Sequence, residues 1–195
     1  MAGFISSATN PFFMKRDDAI LLLQEHVHKE SLIAHCRATA AIMRATAGAL
    51  GEDADLWEKI GILHDIDFEE VGEDMDRHGD VGAGMLISAG LGEEVAGPVR
   101  RHNFQKYDDT DTPVDVALTA ADNISGLVIA CAMVKGGSVS DVTAKTVKKK
   151  FKDKSFAAGC NRDRIRRIEA YMELPEYYTL SVAAIQGIKE DLGLT

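Results

Sequence analysis

Apolar residues recur along this chain at intervals of three and four, and no stretch alternates as a half-buried strand would. The pattern predicts about nine amphipathic helices. They fall near residues 15–28, 31–50, 53–65, 78–89, 92–102, 113–134, 139–152, 161–172 and 175–192. Local signals support these limits: Gly51, Gly90 and Gly136-Gly137 suit helix stops, Asp53, Ser138 and Asn161 suit N-caps, and Pro113 and Pro175 suit first turns. Two acidic, turn-rich stretches remain irregular, 66–77 and 103–112, each just after a histidine. The expected fold is an all-α helical bundle. At 195 residues the chain suits one domain, residues 1–195, better than two.

The polar residues that interrupt the apolar stripes carry the chemistry. His35 is in step with Leu32, Thr39 and Ile42, His102 with Val95 and Val99, and His78 with Val81, Met85 and Leu86. Residues three or four apart share a helix face, so these imidazoles are expected to point inward. His64 closes the stripe of Leu56, Ile60 and Leu63 and is followed by Asp65, while Asp122 interrupts the apolar run from Val114 to Val134. Taken singly, each reads as a hydrogen-bonded core histidine, a buried cap or a salt-bridge partner. Taken together, they form a polar centre that is costly to bury unless a cation neutralises it. Mixed imidazole and carboxylate donors suit Mn, Fe, Zn, Ni or Co better than Ca. Six donors exceed the need of one tetrahedral ion with an open position, and adjacent helical residues diverge by about 100°. One or two divalent ions per chain are therefore expected, with a two-metal centre bridged by Asp65 favoured.

Composition narrows the setting. With 46% hydrophobic and 27% charged residues the chain is neither disordered nor fibrous. A net charge of −9 argues against binding a nucleic-acid polymer. The local exception, Lys145 to Lys154 with Lys148, Lys149, Lys150 and Lys152 between, reads as a solvated helix face, or else as a phosphate-attracting rim. Cys36, Cys131 and Cys160 are odd in number and widely spaced, which fits a reducing cytoplasm. Met1 to Met14, with Phe4, Ile5, Phe12 and Phe13, lacks a basic n-region and a continuous apolar run, so neither export nor membrane insertion is expected.

The ordered set His35, His64-Asp65, His78, His102, Asp122 resembles the HD-domain superfamily of metal-dependent phosphohydrolases, over about Ser31 to Val134. The core signature H…HD…D is met by His35, His64-Asp65 and Asp122, and His78 and His102 resemble the branch with binuclear sites. His64-Asp65-Ile66 is similar to the HDIG subgroup, but Asp67 stands where its glycine is expected, and no Gly-Tyr-Pro element follows. The resemblance implies an all-α fold, ligation of divalent metal by these six residues, and hydrolysis of a phosphate mono- or diester, often of a nucleotide. It implies a small phosphorylated partner and is compatible with a homo-oligomer. Helices over 139–192 are expected to complete the bundle.

Asp65 and Asp67 are the catalytic candidates. Asp67, with Glu69 and Glu70, lies within loop reach as general acid or base, a solvated acidic loop being the alternative. Arg100, Arg101, Asn103 and Lys106 flank His102, and of these Arg101, Asn103 and Lys106 are the candidates for binding substrate phosphate. Asn123 is a candidate for orienting Asp122. His26 and His28 belong to a polar helix end and read as surface residues. Two rivals stand beside the hydrolase: a di-iron oxygenase using a similar ligand set, and a non-catalytic regulatory protein that keeps metal for structure.

Overall fold

A computed structural model describes residues 14–72, 74–103, 106–107 and 111–195. The N-terminal stretch with Phe4, Ile5, Phe12 and Phe13 lies outside these residues, as does part of the 103–112 segment. The described residues form helices α1 (Arg16–His26), α2 (Glu30–Leu50), α3 (Ala54–Leu63), α4 (Phe68–Val71), α5 (Asp80–Ser88), α6 (Glu93–Arg101), α7 (Pro113–Met133), α8 (Ala144–Phe151), α9 (Arg162–Arg166) and α10 (Leu174–Gly187). Short 3-10 turns follow α9 and α10, at Arg167–Ala170 and Glu190–Leu192, and no strand occurs among the described residues. The all-α expectation holds.

The caps show why these segments are helical. Asp53 accepts from Leu56 N at 2.9 Å to start α3, and Thr112 caps α7 just before Pro113. Gly51 ends α2 in the left-handed conformation that favours glycine, at φ 77°. Two expectations need correction. The helix expected over 139–152 starts only at Ala144, with Thr143 as its cap in place of Ser138. Gln186 on α10 donates to the Val139 and Val142 carbonyls at 3.0 and 3.2 Å, which holds the preceding residues as a turn. The acidic stretch 66–77 is also not wholly irregular, because Phe68–Val71 makes one helical turn.

Helices α2 and α7 form the centre: α2 packs on α3, α7 and α10, while α7 also meets α8 and α9. Ile42, Met43, Ile60, Leu63, Leu118, Ile124, Leu127 and Tyr177 are fully buried between them. By length and composition α7 could cross a membrane, yet 67% of its apolar window is buried within the bundle, as expected of a core helix. The α2–α3 contact sets the site. A Cβ at Gly61 would stand 2.6 Å from Ala40 Cα, so only glycine lets α3 approach α2 this closely. His35, five residues before Ala40 on α2, is thereby brought against His64 at the end of α3, with ring centroids 5.2 Å apart.

Candidate metal centre

Two of the histidines occupy the same local position. His64 and His102 are the C-cap residues of α3 and α6, where the last carbonyls lack intrahelical partners. Each imidazole turns back on its own helix: His64 Nδ1 bonds Gly61 O at 2.9 Å and His102 Nδ1 bonds Val99 O. A carbonyl can only accept, so Nδ1 carries the proton and Nε2 points away from the helix end. His78, in the turn just before α5, donates Nδ1–H to Asp67 Oδ1 at 2.8 Å. His35 Nδ1 faces Ser125 Oγ at 3.3 Å, and Ser125 gives its own proton to Asp122 O at 2.8 Å, so the hydroxyl oxygen accepts from the imidazole. All four rings are thus anchored at Nδ1.

Their Nε2 atoms converge on carboxylates. Asp65 Oδ2 is 3.4 Å from His64 Nε2 and 3.7 Å from His35 Nε2, while Asp65 Oδ1 is 3.4 Å from both His78 and His102 Nε2. Asp122 Oδ1 lies 3.1 Å from His35 Nε2 and 3.9 Å from His64 Nε2, and the two Nε2 atoms are 3.2 Å apart. Donors about 2.1 Å from one ion stand about 3.0 Å apart at a right angle and about 3.4 Å apart at the tetrahedral angle. Five of the seven separations, 3.1 to 3.4 Å, match that spacing, and the other two, 3.7 and 3.9 Å, are wider; the His102 Nε2 atom is buried without a hydrogen bond. Imidazole lone pairs aimed at one another repel unless a proton or cation sits between them. Two triads, His35/His64/Asp122 and Asp65/His78/His102, can each hold a metal ion, so the donor set fits divalent metal. A third grouping includes Cys36, but burial pushes its thiol well above the usual range, which disfavours the thiolate a metal needs.

The electrostatics agree. Burial works against ionisation of Asp65, yet His64, His102, His78 and His35 outweigh it and hold the carboxyl well below the usual range. Asp122 is likewise lowered, burial being overcome chiefly by His35. Burial disfavours charge on His78, but hydrogen bonds to Asp65 and Asp67 raise it to about 10. His35 is raised against burial by Asp122 and Asp65, whereas burial dominates at His64 and lowers it. Protons and cations compete here for the same Nε2 atoms.

The structure brings His35, His64, Asp65, His78, His102 and Asp122 into one cluster. It gives Asp67 a different place from the proton-transfer position expected. Its carboxylate is fully buried, takes N–H bonds from Gly79 at 2.8 Å and Gly82 at 2.7 Å, and spends its remaining oxygen on His78. A Cβ at Gly82 would stand 3.1 Å from the Asp67 carboxyl carbon, so the two glycines form its cradle. Glu69 is also occupied, accepting from His28 N and Lys29 N before α2. The expected phosphate binders are tied elsewhere too. Arg101 makes a forked pair with Asp115, with bonds of 3.0 to 3.2 Å. Asn103 donates to Met75 O and His78 O, and Lys106 reaches Asp76 O and the Asp80 carboxylate. Their charge-assisted or buried bonds would have to break before they could serve a substrate. His26 and His28 are exposed, as expected. Sequence reasoning missed Ser125, Gly61 and the Gly79/Gly82 pair; only the glycine spacing i, i+3 beside His78 offered a signal.

An all-α bundle whose helix ends and centres converge on a His/Asp cluster able to hold divalent metal is the class defined by this geometry. The family model of the HD domain matches residues 32–127, a stretch that contains all six cluster residues. Residues 32–127 are thus an HD domain, the domain that defines a superfamily of metal-dependent phosphohydrolases. Ribonuclease Y of Fervidobacterium nodosum is 33% identical to the chain over 96 residues, which is 49% of this chain and 18% of that relative. The chain thus matches less than a fifth of that protein's length.

Proposed function

We propose that this chain hydrolyses a phosphate mono- or diester, with a nucleotide as the phosphorylated partner, using two divalent transition-metal ions. His35, His64, Asp65 and Asp122 would hold one ion, and Asp65, His78 and His102 the other. The observation that carries the reading is the division of Asp65, with Oδ2 toward His35 and His64 and Oδ1 toward His78 and His102. When bound, such ions lower the pKa of water and neutralise charge on phosphoryl oxygens. The protein's own part is orientation. Gly61 O, Val99 O, Ser125 and Asp67 hold the four rings in the tautomer that presents Nε2. Side-chain exposure is 35% at Asp122 and 24% at His35. It is at most 10% at His64, Asp65, His78 and His102. A phosphoryl group therefore approaches from the Asp122 side, and the enclosed side keeps water away from the inner donors.

A second substrate reading, an RNA phosphodiester, is favoured by two observations. One is the likeness to Ribonuclease Y. The other is that the exposed lysines Lys145, Lys148, Lys149, Lys152 and Lys154 have no ion-pair partner among the described residues. Local cationic density, not net charge, governs phosphate-backbone contact, so −9 overall is no ground for excluding RNA. The test is elemental analysis of protein purified without added metal, followed by phosphate release from nucleotides, phosphodiesters and short RNA with that ion restored. Metal-dependent release from any of these supports the hydrolase, and the preferred substrate chooses between the readings. Stoichiometric metal without turnover would reject it.

A further inference from the structure

We infer that residues 152–161, beyond the HD-domain match, set the geometry of Asp122 through Asn123, with the buried Arg162 guanidinium as the organising group. The inference rests on the reading of Asp122 as a metal ligand. Arg162 is 8% exposed and has no carboxylate partner among the described residues. A buried guanidinium must find acceptors for its N–H groups. It finds them in five backbone carbonyls: Ala157 and Cys160 at 2.7 and 2.6 Å, Asp153 at 3.2 Å, Phe151 at 3.4 Å, and Phe156. The chain wraps around the charge, and Ala157 takes a left-handed φ of 46° in doing so.

With the Cys160 carbonyl held, the next N–H is aimed. Asn161 N donates to Asn123 Oδ1 at 2.8 Å. That bond decides which way the Asn123 amide faces, because the flipped amide would set N–H against N–H. Nδ2 is therefore left to donate to Thr119 O at 2.9 Å and Asp122 Oδ2 at 3.3 Å. One Asp122 oxygen is thereby held, and the other faces His35 Nε2 at 3.1 Å. The loop also lies directly on α7, since a Cβ at Gly126 would stand 3.0 Å from Cys160 Sγ. Asn123 and Arg162 are positioning residues, acting on the ligand and not on substrate.

The test titrates cobalt(II) alone into chelator-treated full chain and follows affinity, stoichiometry and the visible cobalt bands. Asp122→Ala identifies which ion depends on Asp122. Asn123→Ala is expected to weaken that ion about 10- to 100-fold and alter its bands, leaving the other ion unchanged. In the Asp122→Ala background Asn123→Ala should add nothing. Arg162→Met should act in the same direction. If that variant fails to fold, Asn123→Ala, which changes one half-buried side chain, still decides. Without any metal, amide exchange at Asn161 should quicken in Asn123→Ala. Wild-type cobalt affinity in Asn123→Ala, or an equal loss with and without Asp122, overturns the inference while leaving the metal centre intact. A wild-type chain that binds no cobalt defeats the metal reading and this inference with it.

Discussion

The two halves of the cluster share Asp65 but are built by different means. The outer half, His35, His64 and Asp122, draws on three long-separated helices, α2, α3 and α7, and depends on their close packing at Gly61. In the inner half His78 is held by Asp67, which Gly79 and Gly82 cradle, and His102 by the carbonyl end of its own helix α6. Packing leaves the outer half open at Asp122 and His35, 35% and 24% exposed, with His64 fully enclosed behind them, whereas both inner histidines are only 5% exposed. Under the proposed function, this contrast would give the outer half the part of meeting substrate and the inner half that of keeping a fixed charge behind it.

Removing the shared residue should have the largest effect. Asp65→Ala is expected to abolish metal-dependent phosphate release and bound metal in both halves while far-UV helicity stays intact. Unchanged turnover would dispose of the site assignment. Next, His102→Ala should cut metal content from about two ions per chain toward one. A wild-type content by elemental analysis would break the division into halves. Asp67→Asn keeps the shape but removes the charge behind His78, and should lower affinity of the inner ion alone about 10- to 100-fold in titration. An equal loss in the outer half would contradict the separate construction. Gly61→Ala tests the outer half, where the α2–α3 contact must spread; denaturant unfolding should show about 1–3 kcal/mol of lost stability.

The last expected effect is on pH dependence. In chelator-treated protein His78 is raised from its ordinary 6.5 to about 10. A raised histidine stabilises the fold fully below the unfolded value, and that contribution fades as pH climbs through the folded one. The Tm of His78→Ala should therefore fall furthest below wild type under pH 6.5 and converge with it near pH 10. Metal affinity should run the other way, rising with pH as protons leave the Nε2 atoms. A wild-type-to-variant Tm gap that widens with pH would show that His78 is not held protonated.

Much of this was legible in the sequence for a local reason. Helical phase advances by about 100° per residue, so Leu32, Thr39 and Ile42 place His35 inward whatever the helix packs against. The same reasoning reached Asp122 through its apolar neighbours, and His64 and His102 through the stripes they close. It failed where hydrogen bonds cross between segments. Asp67 reads as a free acid in an acidic loop until Gly79 and Gly82, a dozen residues on, fold under it. Arg101 and Lys106 read as candidate phosphate binders, but Asp115 and Asp80 pair with them in the fold.

By itself, then, the sequence determined the helices, the inward faces and the ordered set of imidazoles and carboxylates, because side-chain periodicity is a property of a few neighbouring residues. Only the tertiary structure decided which oxygen of Asp65 faces which histidines, that Asp67 steadies His78, and that Arg162 reaches Asp122 through Asn161 and Asn123. Those outcomes depend on how helices approach and how turns close, and residues such as Gly61 act there through contacts far along the chain.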